Sequence, residues 1–219
     1  MCKDFWWGQS STEAKLPLIS WASLCKPKEE GGLGFRKFKY FNLGLLAKQG
    51  WRLIHHPESL AAQILKAKYF PRGSFWEAKI GHQPSFLWSS ILHGREVLRE
   101  GSYWRIGDGN QVSIWQDRWL PMSSNHMVRS PPQGLARETK VQALIDHNRR
   151  CWNVQLVRQC FNSAQAEEIL NIPLSQNEIE DKLIWGSTRS GVFTVRTATM
   201  IARRLDARTQ PFNEASLFW

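Results

Sequence analysis

The side chains in this sequence that could do chemistry can be weighed by their spacing. Asp108 and Asp117, nine residues apart in the stretch "YWRIGDGNQVSIWQDRW", could in principle share a metal ion. Asp108, however, lies between two glycines, where an aspartate completes a turn through hydrogen bonds to its own backbone. Gly107-Asp108-Gly109 could also be imagined cradling a phosphate, but no Lys-Ser or Lys-Thr pair follows it. "GGLGF" at 31–35 lacks the third glycine of a dinucleotide fingerprint and follows charged residues rather than a strand. His55 and His56 are adjacent, so on a helix they point in different directions, and they suit a helix C-terminus better than a metal. Cys2, Cys25, Cys151 and Cys160 form no C-x-x-C pair and have no histidine at ligand spacing, which argues against a zinc finger and a disulfide framework alike. No catalytic residue, metal ligand or cofactor is expected, and reduced cysteines fit an intracellular protein.

Charge is the feature that does point somewhere. The formal net charge is +10, from 29 Lys and Arg against 19 Asp and Glu, which calls for a polyanionic partner such as nucleic acid or an acidic membrane face. Between Phe35 and Lys79 nine basic residues face two acidic ones, a local balance of +7. Lys48 and Arg52 are spaced i, i+4 opposite an apolar stripe, with Trp51 beside them as an aromatic for stacking. Arg36, Lys37, Lys39, Lys48, Trp51, Arg52, Lys66, Lys68 and Arg72 are therefore the candidate nucleic-acid contacts. A solvated amphipathic face explains the same spacing without any ligand.

These residues need elements to hold them. Asn42 can cap a helix with Leu43, Leu46, Ala47, Gly50 and Ile54 on one face. Pro57 ends that helix and opens a second, expected to bury Leu60, Ile64 and Ala67 and to turn Lys66 and Lys68 outward. A third helical stretch is capped by Ser85, carries Leu87, Ile91, Gly94 and Leu98 on one stripe and stops at Gly101. Tyr103–Ile106 and Gln111–Trp115 read as a β-hairpin whose turn takes positive φ at Gly107 and Gly109. The Pro- and Ser-rich residues 121–135 read as a linker. Helices are expected near 139–147, 153–161 and 164–170. "DKLIWGSTRSGVFTVR" is read as a second pair of strands, and "TATMIARRL" as a last helix. The fold class is α+β, mainly short helices with two β-hairpins, in two parts: 1–120 basic and helical, and 136–219. Twelve tryptophans are expected chiefly as core with indole N–H groups seeking partners. The N-terminus lacks the apolar region of a secretory signal, and no run reaches the length of a membrane span. "SLFW" at the end would leave Leu217, Phe218 and Trp219 exposed unless something covers them.

"FWWG", "SWASLCKPKEEGGLGFRKFKYFNLGLLAKQGWRLI", "LKAKYFP" and "YWRIGDGNQVSIWQDRWLP" closely resemble the segment that follows the polymerase domain in plant LINE-type (non-LTR) retrotransposon reverse transcriptases. "DKLIWGSTRSGVFTVRTA" resembles the start of that family's reverse-transcriptase zinc-binding region. The resemblance implies a fragment of a larger RNA-directed DNA polymerase. It places the polymerase carboxylates before "FWWG", and the zinc-binding Cys and His residues and any ribonuclease H domain after Trp219. None of Tyr40, Tyr69 or Tyr103 begins the Tyr-x-Asp-Asp turn that holds a polymerase's metal ions. The function expected is binding of template RNA or target DNA backbone, without catalysis, for a polymerase domain supplied by another element in the nucleus. The alternative is a non-functional structural remnant of a decayed element, with Met1 arising from a gene model opened inside it. An independent DNA-binding regulator would need a helix-turn-helix or zinc signature, and none is present.

Overall fold

The computed structural model describes residues 19–209 apart from 27, 36, 124, 147, 176 and 178. "FWWG" and the terminal "SLFW" lie outside the described residues. The chain divides into two compact units, residues 1–42 and 43–219. In the first, Ser20 caps the short helix α1 (Trp21–Leu24) by accepting from the Ser23 N–H. The glycine-rich turn follows with positive φ at Gly31 and Gly34, and Trp21 stacks on Phe35 at 5.4 Å. Helix α2 spans Phe38–His55, so Asn42 sits inside it rather than capping it.

In the second unit the remainder of α2 is followed by α3 (Leu60–Tyr69), α4 (Phe86–His93) and α5 (Arg95–Gly101). Ser59, not Pro57, opens α3, accepting from the Ala62 N–H. The face of α3 is also other than expected. Leu60 is 72% and Ile64 56% exposed, Ala67 is exposed too, and Ala62 is the residue buried. The helix carries two apolar stripes, and the one used is decided at its C-terminal end. There Tyr69 stacks flat on buried Trp88 at 4.7 Å and its hydroxyl meets Ser85. Ser85 caps α4 as expected, and Gly101 ends α5. Of the stripe on this stretch Ile91, Gly94 and Leu98 are buried while Leu87 is exposed.

The α+β class holds, with short helices and two small antiparallel sheets, but the two expected hairpins do not form, because their strands take other partners. Strand β1 (Ser102–Arg105) pairs with β4 (Lys182–Trp185), Ser102 opposite Trp185 and Arg105 opposite Lys182. Residues 111–115, expected to fold back on β1, run instead beside 139–141: the Ile114 N–H donates to the Thr139 carbonyl and the Val141 N–H to that of Val112. A turn signal favours a hairpin only when nothing better pairs with the strands. Here the fully buried Trp185 supplies the better partner. Residues 192–194, expected as the return strand of "DKLIWGSTRSGVFTVR", form none and lead into α8 (Val195–Thr209).

The other sheet is a two-residue pair, β2 (Ile145–Asp146) with β3 (Cys151–Trp152), preceded by a 3₁₀ turn at Val141–Leu144 where a longer helix is expected. Helices α6 (Val154–Cys160) and α7 (Ser163–Leu170) fall where they are expected, each capped by an asparagine. The main core gathers Ile106, Val112, Ile114, Trp115, Trp119, Leu144, Trp152, Val157 and Ile169. Its indoles are satisfied as burial demands: Trp115 donates to the Ser130 carbonyl, Trp119 to Ile114 and Trp152 to Ile172. Residues 121–135 are tied to α7, Glu168 accepting from Met122 and Ser123, and Gln165 from Ser130.

Candidate nucleic-acid interface

The basic side chains of this molecule fall into two groups. One group is tied to carbonyls and carboxylates of the chain itself. Arg95 donates to the carbonyls of Phe75 and Ala78, and Arg99 to Trp76 and to Glu96 at 2.9 Å. Arg118 donates to the Arg99 carbonyl and lies 3.8 Å from Glu100. Burial pushes the Arg95 and Arg118 guanidinium groups below their ordinary value, and Glu100 works against that shift at Arg118. These arginines fasten loops to helices.

The other group faces solvent. Lys48 and Arg52 stand exposed one turn apart on α2, and Lys66 and Lys68 are exposed on α3, with Arg72 exposed just beyond it. Lys48, Arg52, Lys66 and Arg72 have no carboxylate partner among the described residues. Lys68 Nζ lies over the Tyr69 ring, 5.1 Å from its centre. In the first unit Lys37 and Lys39 both sit over Tyr40, at 5.7 and 5.8 Å. Arg36 is outside the described residues.

Within the second unit, Arg52 and Lys66 border different clefts. Arg52 borders a cleft of about 580 Å³ whose walls include Gln49, His56 and Glu58 beside the apolar Leu53, Leu65 and Ile91. Lys66 borders a different cleft, of about 490 Å³, with Phe70, Trp76 and Trp104.

Trp51 packs against other rings of the chain. Its ring stacks on His55 at 4.0 Å and on Phe193 at 5.6 Å, and meets the edge of Trp185 at 5.8 Å. His55 extends the same joint, with Nδ1 3.1 Å from the Trp51 carbonyl and Nε2 2.9 Å from that of Leu183. The end of α2 is thereby stapled to β4. Nothing in the local sequence marks this, because the partners lie more than a hundred residues away.

The Gly-Asp-Gly stretch is an anion cradle after all, and its anion comes from the same chain. The Asp181 carboxylate accepts from the N–H groups of Gly107 (2.8 Å), Gly109 (3.0 Å) and Gln111 (2.9 Å). Gly109 has φ +75° as expected. Gly107 is required by close approach instead: a Cβ there would come within 2.0 Å of the Ile179 carbonyl oxygen. Asp108 completes the turn locally, accepting from Asn110, and Asp117 accepts from the Ser113 N–H. Among the described residues no three His, Cys, Asp or Glu side chains converge as a metal site, and no helix is long and apolar enough to cross a membrane.

Fold and surface together define an α+β module with an aromatic core and, among the described residues, several exposed cations without a carboxylate partner. Over 118 residues, 53% of the chain, it is 46% identical to an uncharacterized mitochondrial protein of Arabidopsis thaliana, 77% of which it covers. The chain belongs to the family of that plant protein. Over 203 residues, 90% of its length, it is also 31% identical to an Arabidopsis thaliana protein named "Putative ribonuclease H protein". It spans about a third of that relative's length, 33%. No family model matches the chain. No solved structure matches it either. The nuclear location implied by the resemblance finds no support in these relatives, one of which is mitochondrial by name.

Proposed function

We propose that this chain is a nucleic-acid-binding portion of a LINE-type retrotransposon reverse transcriptase. It grips the backbone of template RNA or target DNA and performs no polymerisation itself, the polymerase being supplied by another domain or element. The observation that carries this reading is the set of exposed cations on α2, on α3 and just beyond it that have no carboxylate partner among the described residues, Lys48, Arg52, Lys66 and Arg72. A chain that uses Glu96, Glu100 and Glu167 to neutralise arginines elsewhere leaves this stretch charged. Phosphate contacts position a protein without reading bases, so no sequence preference is assigned. The ribonuclease H label of the longer relative is in keeping with a protein that handles nucleic acid.

Neutralising phosphates releases counterions, so binding must weaken steeply with salt. With about four to six contacts, the slope of log K against log salt is about −4 to −5 on duplex and shallower on single strands. Fluorescence anisotropy of a labelled oligonucleotide, titrated at several salt concentrations with the folded chain, measures it. A folded chain that does not bind even at low salt would be the structural remnant of the alternative reading.

A further inference from the structure

The cations of α2 do not stand alone, because the last helix places more of them along the same seam. Helix α8 buries Ala198, Ile201 and Ala202 and meets α2 where α2 has no side chain. A Cβ on Gly44 would lie 2.9 Å from Thr199 Oγ1 and 3.1 Å from the Val195 carbonyl oxygen. Farther along α2, Trp51 stacks on Phe193, just before α8 begins. The order of contacts is reversed between the two segments, Gly44 against 195–199 and Trp51, two turns farther along α2, against 193.

Residues three and four apart are neighbours on a helix surface. On α2 the i+4 neighbour of Gly44 is Lys48, followed by Arg52. On α8 the i−3 and i+4 neighbours of Thr199 are Arg196 and Arg203. Arg196 and Arg203 are exposed, and neither has a carboxylate partner among the described residues. Arg204, also exposed, lies about 140° round the helix from Thr199 and faces away from the seam.

We propose that Arg196 and Arg203 of α8 join Lys48 and Arg52 of α2 in one phosphate-binding seam, and that its ligand is double-stranded nucleic acid. This rests on the nucleic-acid reading above and extends it to a part of the chain in which the sequence marks no site. The choice of duplex follows from the rings beside the seam. Trp51, Trp185 and Phe193 are packed against one another and His55, so they are engaged within the fold and not set out as a platform for unpaired bases, and stacking is what single-strand binders rely on. What the seam presents is positive charge on two rigid helices. From Arg196 to Arg203 the rise along α8 is about 10 Å, enough for contacts to more than one phosphate.

The test uses the full chain, a duplex of arbitrary sequence and a single strand of equal length, each titrated by anisotropy at several salt concentrations. Arg196→Gln with Arg203→Gln is expected to lower the duplex salt slope by about two units, as is Lys48→Gln with Arg52→Gln. Arg204→Gln should leave the slope unchanged, and Arg196→Lys with Arg203→Lys should keep it near that of the natural chain. The lysine pair also shows that any loss in the glutamine pair is one of charge and not of folding. If the α2 pair lowers the slope and the α8 pair does not, the seam is wrong while the nucleic-acid reading stands. Tighter binding to the single strand than to the duplex would overturn the choice of ligand. Absence of binding by the natural chain to either would overturn both.

Discussion

At the scale of single residues, the side chain with most depending on it is Asp181. It is 6% exposed and holds three backbone N–H groups of the Gly107–Gln111 loop. Such charge-assisted bonds are about twice as strong as neutral ones. Removing the acceptor leaves donors, one of them on buried Gly109, at about 1–3 kcal/mol for each that water cannot reach. Asp181→Ala is therefore expected to destabilise the protein by about 3 kcal/mol or more, and Asp181→Asn, which keeps one carbonyl oxygen, by less. Gly109→Val attacks the same loop through its backbone. Positive φ costs a β-branched residue about 1–3 kcal/mol, and a Cβ would also press within 2.4 Å of the Gln142 nitrogen. Urea unfolding followed by tryptophan fluorescence ranks the three variants. An Asp181→Ala midpoint equal to that of the natural chain would mean that water replaces the carboxylate and that the cradle is not structural.

At the scale of elements, the packing of α2 against the α4–α5 pair depends on Gly94, where the two helices of the pair meet. A Cβ there would lie 2.5 Å from the Ala47 nitrogen and 2.8 Å from the Leu46 carbonyl carbon. Both neighbours are backbone, so the helices must separate. Gly94→Ala is expected to cost about 1–3 kcal/mol despite the better helix propensity of alanine, and thermal unfolding would show it. A raised melting temperature would place Gly94 away from the crossing. Gly94 was legible in the sequence as part of an apolar stripe, as were the Ser85 cap and the Gly101 stop, because caps and helical periodicity are local signals. The strands at 102–105 and 182–185 were legible for the same reason, but their pairing was not. A Gly-Asp-Gly-Asn stretch reads as a hairpin turn whether or not a distant strand offers a better edge. The candidate site divides in the same way. Lys48 and Arg52 are exposed as their spacing suggests, whereas the packing of Trp51 was not legible, because Phe193 and Trp185, which its ring meets, cannot be found by reading its neighbours.

At the scale of the whole chain, the segment from Asp181 onward completes what precedes it. Strand β4 is the ladder partner of β1, and Trp185, fully buried, fills the space that Gly101 leaves open: a Cβ on Gly101 would come within 2.2 Å of its ring. Ile201 of α8 lies against the same glycine, and the Trp185 indole donates to Thr197 Oγ1 at 2.7 Å. A chain ending at Glu180 loses the Asp181 cradle, the partner of β1 and the cover over α5 together. The loss of one buried tryptophan side chain alone is worth about 3–5 kcal/mol, a large part of the 5–15 kcal/mol that stabilises a typical domain. The truncated chain is expected to lose its cooperative thermal transition and near-ultraviolet circular dichroism, and to recover both when residues 181–219 are added back as a separate peptide. A truncated chain that melts at the temperature of the full one would show instead that residues 1–180 fold alone and that β4 and α8 belong to a separate part of the molecule.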